Sequence, residues 1–210
     1  MADQRNVTLA VTGAGGTRVA RYVLESLAKD DRVERVDLIV SATGRKIIAH
    51  ETGLDSVGEA IELVLGGPSR KVVNWDPEDL AGGPTSGSYP SWGMLVVPCS
   101  LGVVGRVAHG TANTLIERAA DVTLKERRPL VLCVRETPFN LIHLRNMTQI
   151  TEAGGTIYPV IPTFYNLPSS VDQVYEEFTA RLLGFLGLPQ TDYYTYSGDE
   201  TPAHRDRVES

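Results

Sequence analysis

Short apolar runs alternate with amphipathic stretches along the chain. Five runs have the length of a buried strand and fall at residues 7–11, 36–40, 94–97, 130–134 and 156–160. Between them, apolar residues recur at helical spacing, which predicts helices near 19–27, 47–65 with an interruption at Gly53, 111–126, 141–150 and 170–186. Continuously apolar strands separated by helices are typical of a parallel sheet covered on both faces. The pattern therefore predicts an α/β fold: a single doubly wound, mainly parallel, Rossmann-like sheet with helices on both faces.

Chain length sets the expected domain organisation. The 210 residues are within the size range of one domain. We expect an α/β domain over residues 1–188, followed by a C-terminal arm or tail over residues 189–210. The Gly- and Pro-rich stretch at 76–91 is interpreted as an extended loop of that domain, not as a linker. Ser170 and Gln173 fit a capping box at the start of the last helix.

Composition and charge narrow the class of partner. Apolar residues make up 42% of the chain and charged residues 22%, which is ordinary globular usage. The formal net charge of −6 argues against a nucleic-acid or anionic-membrane partner. The charge is unevenly spread, however, because residues 101–150 carry seven basic and four acidic side chains. The middle of the chain could therefore bind a small anion.

Cysteine usage and hydropathy predict a cytoplasmic protein. No apolar run reaches the roughly 18–20 residues of a membrane span. The N-terminal residues lack the charged-then-apolar layout of a signal peptide. Cys99 and Cys133 form no CxxC pair, and they are interpreted as reduced thiols. For Cys99, a buried structural thiol is favoured over a nucleophile, since no His lies near it in sequence.

In a doubly wound sheet, ligands bind outside the carboxyl ends of the strands. The first such loop, 12–17, is Gly-rich and precedes a helix. It matches neither the GxGxxG fingerprint, since Arg18 stands at the last position, nor a P-loop. A phosphate cradle and a simple tight turn both remain open. A second candidate is the turn at Ser100, which is interpreted either as an anion site or as a plain helix N-cap.

Charged residues near other strand ends point to an anion as well. Arg135 and Glu136 follow the strand at 130–134, and we expect them to form an ion pair with a function. Lys125 begins a basic run. Taken on its own, this run is interpreted as the solvent-exposed C-terminal end of a helix, where cations favour the helix dipole. Arg181 shares a helix face with Val174 and needs an acidic partner or an anionic ligand. With no metal-ligand spacing among the His residues, the set predicts a crevice for a phosphate-bearing ligand.

Four segments between residues 98 and 188 form a recognisable set: Pro98-Cys99-Ser100, the run from Glu117 to Leu132, the run Val134-Arg135-Glu136-Thr137-Pro138, and Phe164-Tyr165. Across residues 98 to 188, these segments resemble the UbiX family of flavin prenyltransferases, within the wider fold group of flavin-containing cysteine decarboxylases. A looser likeness begins at Val7 and includes Gly13-Ala14, Ser41, Glu51-Thr52 and Ser86-Gly87-Ser88. The likeness thus covers most of the chain.

The resemblance implies a metal-independent enzyme that transfers a dimethylallyl group from dimethylallyl phosphate to reduced FMN. It assigns FMN binding to Gly13, Ala14, Gly15, Ser41, Ser100, Leu101, Gly102, Val103 and Arg135. It assigns the substrate phosphate to Lys125, Tyr165 and Arg181. Glu136 is the implied proton-handling acid, and Lys125 and Glu51 are further implied catalytic positions.

The resemblance also implies partners. The prenylated FMN would be the cofactor of a UbiD-type decarboxylase, and the protein would form homo-oligomers with interfacial active sites. Tyr193, Tyr194 and Tyr196 of the tail are expected to cap a neighbour's site. The chain departs from the family where Gly15 replaces a Ser, Arg18 an aromatic residue and Leu80 a Trp. Two alternatives stay open: a non-catalytic FMN-binding subunit, and an FMN-dependent cysteine decarboxylase on the same fold.

Overall fold

The fold was analysed in a computed structural model that describes residues 5–54, 56–164 and 167–190. These residues form a sheet whose strands are β1 (Arg5–Val11), β2 (Val33–Val40), β3 (Val72–Trp75), β4 (Gly93–Cys99), β5 (Leu130–Val134) and β6 (Thr156–Ile157). The helices are α1 (Thr17–Lys29), α2 (Ala42–Thr52), α3 (Val57–Leu65), α4 (Leu101–Ala108), α5 (Leu115–Lys125), α6 (Leu141–Glu152) and α7 (Val171–Phe185).

The strands pair in the order β3-β2-β1-β4-β5-β6, and every pairing is parallel. The predicted fold class is therefore confirmed. From β1 the chain first builds outward through β2 and β3, and then returns to the other side of β1 with β4. This reversal is a topological switch point, where a crevice opens outside the carboxyl ends of β1 and β4.

Both faces of the sheet are packed. Side chains alternate along each strand, so Leu9 and Leu95 belong to one core cluster, while Ala10 and Val96 belong to the other. The first cluster is completed by α1 and α7, and the second by α4, α5 and α6. The continuous apolar character of the strands follows from this burial on both faces.

Several element boundaries differ from the prediction. The four-residue β3 was not predicted, because its residues are only partly buried at the sheet edge. The helix predicted near 111–126 begins at Leu115, and the separate helix α4 precedes it. β6 contains only two residues, although the Val160 N–H still donates to the Val134 carbonyl at 2.9 Å. The predicted interruption at Gly53 is confirmed, since this residue has a φ of 75° between α2 and α3.

The helix starts show why local sequence directs these elements. The Ser41 hydroxyl accepts a hydrogen bond from the Gly44 N–H at 3.0 Å at the start of α2. At α7, the Ser170 hydroxyl accepts from the Gln173 N–H at 3.1 Å. The predicted capping box is only half correct, since the Gln173 side chain accepts from the Ser169 N–H at 2.8 Å and not from Ser170.

The loop between β3 and β4 is fastened to the sheet by a buried carboxylate. Asp37 of β2 accepts hydrogen bonds from Trp75 Nε1 at 2.9 Å and from the Tyr89 hydroxyl at 3.0 Å. Arg35 lies beside the same carboxylate, with its Nε 3.1 Å from Asp37 Oδ1. Apart from a short 3-10 turn at Gly83–Thr85, the segment has no regular structure, as predicted.

Replacing Leu95 by alanine tests the central core. Leu95 is fully buried in β4, so we expect Leu95→Ala to lower the free energy of unfolding by about 2–5 kcal/mol. Leu63 is 66% exposed on α3 and provides the control, with an expected change within about 0.5 kcal/mol for Leu63→Ala. Urea unfolding of both variants measures the difference, and equal losses would contradict the assigned core.

Two expectations concern the ends and surface of the chain. The predicted arm covers 189–210, and its residues 191–210, with the three tyrosines, lie outside the described residues. Within residues 5–54, 56–164 and 167–190, no helix is long and apolar enough to cross a membrane.

Candidate active site

The loops after β1 and β4 are joined by one threonine. The Thr12 hydroxyl donates to the Pro98 carbonyl at 2.8 Å and accepts from the Ser100 N–H at 2.8 Å. Thr12 is buried, so water does not compete for these bonds. The two loops that border the switch point are therefore held in fixed relative positions.

A pocket of about 330 Å³ opens at this point. Its lining includes the predicted flavin residues Gly13, Ser41, Ser100, Gly102 and Val103. Its volume is within the range usual for small-molecule sites. The fold thus gathers into one pocket five residues from three segments that are far apart in sequence.

The first turn of α4 faces this pocket with unused polar groups. Ser100 occupies the N-cap position, but its side chain makes no capping hydrogen bond. Among the described residues, the N–H groups of Leu101 and Gly102 have no hydrogen-bond acceptor. Such N–H groups, together with the positive end of the helix dipole, suit an anion such as a phosphate.

Glycine at position 13 is required by close approach. A Cβ added at Gly13 would lie 2.5 Å from Thr43 Cγ2, much closer than real Cβ atoms approach. Thr43 also lines the pocket, so a side chain at Gly13 would push against its wall. The residues present therefore form a cradle that fits a phosphate-bearing ligand.

Arg135 lies against the first loop and not against Glu136. Its Nε donates to the Gly15 carbonyl at 2.9 Å. The predicted ion pair is wrong, because the Glu136 carboxylate instead accepts from the Thr137 N–H at 3.1 Å. A Cβ at Gly15 would lie 2.6 Å from Arg135 Nη2, so the glycine leaves room for the guanidinium. Gly15, which stands where the UbiX family has a Ser, is thus linked to the position of Arg135.

Glu51 lies at the start of α1. Its carboxylate accepts from the Gly16 N–H at 3.1 Å and from the Thr17 hydroxyl. Gly16 provides no capping side chain, so the carboxylate of Glu51, which belongs to α2, accepts the hydrogen bonds at the start of α1 instead. Glu51 also borders a larger cavity of about 510 Å³ between α1, α3 and the sheet. Ala14 is buried within the same loop.

Cys99 is a buried thiol, as the sequence favoured. Burial raises the pKa of the Cys99 thiol far above its usual range, and burial does the same for Cys133. The thiolate is the reactive form of cysteine. Neither residue is therefore suited to act as a nucleophile.

The raised pKa values predict slow alkylation of the native protein. At about pH 9, where an exposed thiol is largely ionised, we expect both folded thiols to stay protonated and to resist iodoacetamide. The unfolded chain loses these protons first, so stability is expected to fall as pH rises above the ordinary thiol pKa. Mass spectrometry of alkylated protein, native against guanidinium-treated, measures this. Labelling of native protein at the rate of a free thiol would contradict it.

Lys125 lies at the far end of the sheet from the pocket. It ends α5 just before β5 begins, whereas Arg135 follows the end of β5. A five-residue strand spans about 16 Å, so the two cations lie at opposite strand ends. The Lys125 amine pairs with Glu126, and a Cβ at Gly87 would lie 2.7 Å from Lys125 Nζ. The Lys125 side chain therefore lies close to the loop at 86–88 and far from Arg135.

Arg181 is on the opposite face of the sheet from Lys125. It belongs to α7, which packs with α1, whereas α5 packs on the other face. Arg181 is exposed beside a cavity of about 250 Å³ that includes Thr163, and it forms no ion pair among the described residues. Tyr165 lies outside the described residues. One copy of the chain does not bring Lys125 and Arg181 together.

Sequence reasoning missed Arg106 and Glu117, which also line the pocket at the switch point. Arg106 Nε donates to Glu117 Oε1 at 2.8 Å, and Glu117 is buried. The available signal was the spacing, since Arg106 follows Gly102 by four residues on the helix that begins after Ser100.

Comparison with known proteins decides the family. The Flavoprotein family model matches residues 1–179. The flavin prenyltransferase UbiX of Pseudomonas aeruginosa is 39% identical over 196 residues, covering 90% of this chain and 93% of that protein. The chain belongs to the UbiX family of flavin prenyltransferases. The Escherichia coli K12 UbiX is 38% identical over 92% of this chain and 99% of its own length.

Solved structures agree with this membership. The crystal structure of AnUbiX in complex with FMN and dimethylallyl pyrophosphate has a TM-score of 0.82 and 35% identity, covering 93% of this chain and 98% of that one. The cysteine decarboxylase TvaF has a TM-score of 0.55 at 14% identity, so its likeness extends to the fold alone. The comparisons favour the UbiX prenyltransferases over the cysteine decarboxylase alternative.

Proposed function

We propose that this chain transfers a dimethylallyl group from dimethylallyl phosphate to reduced FMN. Membership of the UbiX family supports this activity, and AnUbiX has been solved with FMN and dimethylallyl pyrophosphate. The observation that carries the proposal is the pocket at the switch point, which collects Gly13, Ser41 and the first turn of α4.

We propose that FMN is held by the loops around this pocket. Its residues would be Gly13, Ala14, Gly15, Ser41, Ser100, Leu101, Gly102, Val103 and Arg135. Reduced FMN supplies the nucleophilic flavin nitrogen that attacks the allylic carbon. The unused N–H groups at the start of α4 and the hydroxyls of Ser41 and Ser100 supply donors for its polar groups.

The departing phosphate requires fixed positive charge. Negative charge grows on the leaving oxygen atoms as the allylic bond breaks, and preorganised cations stabilise that change. Lys125, Tyr165 and Arg181 are the residues proposed for this role. Glu136 would move protons between the flavin and the phosphate. Glu51, close to the first loop, is proposed as a further active-site position.

We propose that neighbouring copies complete the site. Lys125 and Arg181 lie on opposite faces of the sheet, and Lys125 lies at the far strand end from Arg135. Seven large apolar side chains are exposed on the segment that follows Glu136 in sequence and on the loop after β6: Phe139, Leu141, Ile142, Leu144, Ile161, Phe164 and Leu167. Such clusters are typical of interfaces. A protein of 32% identity, described as an FMN-dependent UbiX-like decarboxylase from Escherichia coli O157:H7, is dodecameric.

The remaining proposals concern the tail and the product. We propose a flavoprotein-like domain at 1–188 and an arm at 189–210 whose tyrosines cap a neighbour's site. The prenylated FMN would pass to a UbiD-type decarboxylase, and both proteins would act in the cytoplasm.

The flavin mass tests the activity. The protein is incubated anaerobically with reduced FMN and dimethylallyl phosphate, and the extracted flavin should gain the mass of one isoprene unit. Dimethylallyl pyrophosphate and geranyl phosphate, tested in parallel, report donor preference. No mass gain with any short prenyl phosphate, despite FMN binding, would contradict the proposal and favour a non-catalytic FMN-binding subunit.

A further inference from the structure

Arg106 reaches back along α4 toward the pocket. Helical side chains lean toward the N-terminus, so a residue in the last turn of this short helix can reach its first turn. Gly102 lies four residues earlier on the same face, and a Cβ there would be 3.5 Å from Arg106 Nη1. This distance places the guanidinium beside the first turn of the helix, in ordinary contact range of position 102.

This location is unfavourable for a cation unless an anion is close. The N-terminal end of a helix is positive, and it repels a guanidinium. Glu117 supplies one negative charge, since its Oε1 accepts from Arg106 Nε at 2.8 Å. Its Oε2 accepts from the Thr114 N–H at 2.9 Å and from the Thr114 hydroxyl. Glu117 is only 2% exposed, so it is a fixed support for the guanidinium.

Most of the donor capacity of Arg106 remains available. A guanidinium has five N–H donors, and within the described part of the chain Arg106 uses only its Nε–H. Its side chain is 39% exposed and lines the pocket with Ser41 and Ser100. Arginine N–H groups match the oxygen spacing of a phosphate. The cation, the helix end and the hydroxyls therefore all favour the same kind of ligand.

We infer that Arg106 binds the phosphate of FMN, an assignment that rests on the proposed function for the identity of the flavin. Glu117 acts as its positioning residue. The phosphate dianion compensates both the guanidinium and the helix end, which a single carboxylate does not. The same chemistry would suit the phosphate of dimethylallyl phosphate, so the experiment must separate the two phosphates.

The test compares FMN with riboflavin, which lacks the phosphate. For Arg106→Gln, we expect FMN affinity to fall by about 10- to 100-fold, as for loss of a charged hydrogen bond, while riboflavin affinity changes less than about twofold. Arg118→Gln is the matched control, because Arg118 pairs with Asp121 at 2.7 Å, is also 39% exposed and does not line the pocket. We expect it to alter neither affinity. Flavin fluorescence titration measures all of these.

A double variant guards against unfolding caused by an unpaired buried carboxylate. Arg106→Gln with Glu117→Gln removes both charges, and it should show the same selective loss of FMN affinity. Equal losses for FMN and riboflavin would overturn the inference. Unchanged FMN affinity with a raised KM for dimethylallyl phosphate would overturn it too, by assigning Arg106 to the other phosphate. Because the readout is binding, it stays decisive even if wild-type protein binds FMN but transfers no prenyl group.

Discussion

Replacing Lys125 with alanine is expected to lower kcat/KM for dimethylallyl phosphate by about 10²–10³-fold, the usual effect of losing one preorganised group that stabilises developing negative charge. FMN affinity should stay within about twofold of wild type, because Lys125 lies at the far strand end from its own copy's pocket. Steady-state kinetics with reduced FMN, combined with flavin titration, separates the two effects.

Lys29 provides a matched control for that variant. It also ends a helix, and its amine pairs with Glu25 at 2.6 Å as Lys125 pairs with Glu126. Lys29→Ala should retain wild-type kinetics. Equal losses of kcat/KM in the two variants, or a Lys125→Ala enzyme with wild-type kcat/KM, would exclude Lys125 from the residues that bind the substrate phosphate.

Replacing Glu136 with glutamine is expected to lower kcat by about 10²–10⁴-fold, the range of a lost general acid or base. A glutamine side-chain oxygen can still accept from the Thr137 N–H, which Glu136 accepts at 3.1 Å, so the loop should keep its shape. FMN affinity should therefore change little. The remaining activity should lose one limb of its pH–rate profile, since glutamine cannot exchange a proton.

The control for Glu136 is an exposed carboxylate on the following helix. Glu152→Gln at the end of α6 removes the same charge away from the pocket, and it should leave the rate and the pH profile unchanged. If Glu136→Gln kept more than about a tenth of the wild-type rate, the general-acid assignment would be wrong.

The hydrophobic pattern predicted the central strands because helices cover both faces of the sheet, so side chains on both sides of these strands are buried. The run at 130–134 is β5, with every residue buried, so its sequence admits no polar residue to blur the pattern. Gly53 correctly marked the break between two helices. β3 lacks this signal, because it is a four-residue edge strand that pairs with β2 alone. Edge strands of that length are not distinguished from loops by periodicity.

The candidate site was predictable only in part. The loops after strands β1, β2 and β4 converge because parallel strands end at one edge, which explains why Gly13, Ser41 and Ser100 share a pocket. The expected pairing of Arg135 with Glu136 failed, because Arg135 instead finds the Gly15 carbonyl 120 residues away. The Arg106–Glu117 contact joins two helices, and no periodic pattern reports such a contact.

Lys125 shows a different limit of sequence reasoning. Only nine residues separate it from Arg135, which suggests proximity, yet β5 lies between them and places them at opposite ends. A motif records which residues act together but not whether they act within one copy. The geometry of the single chain supplies that information, and it supports a site shared between copies.

Mixing two inactive variants tests the shared site most directly. A Lys125→Ala copy and a Glu136→Gln copy are co-expressed with different tags, and oligomers containing both are purified and assayed for the mass gain of the flavin. If Lys125 and Glu136 of one site come from different copies, random assembly restores both residues in about a quarter of the sites, and activity should approach that fraction of wild type. Mixed oligomers no more active than either variant alone would contradict a site built between copies.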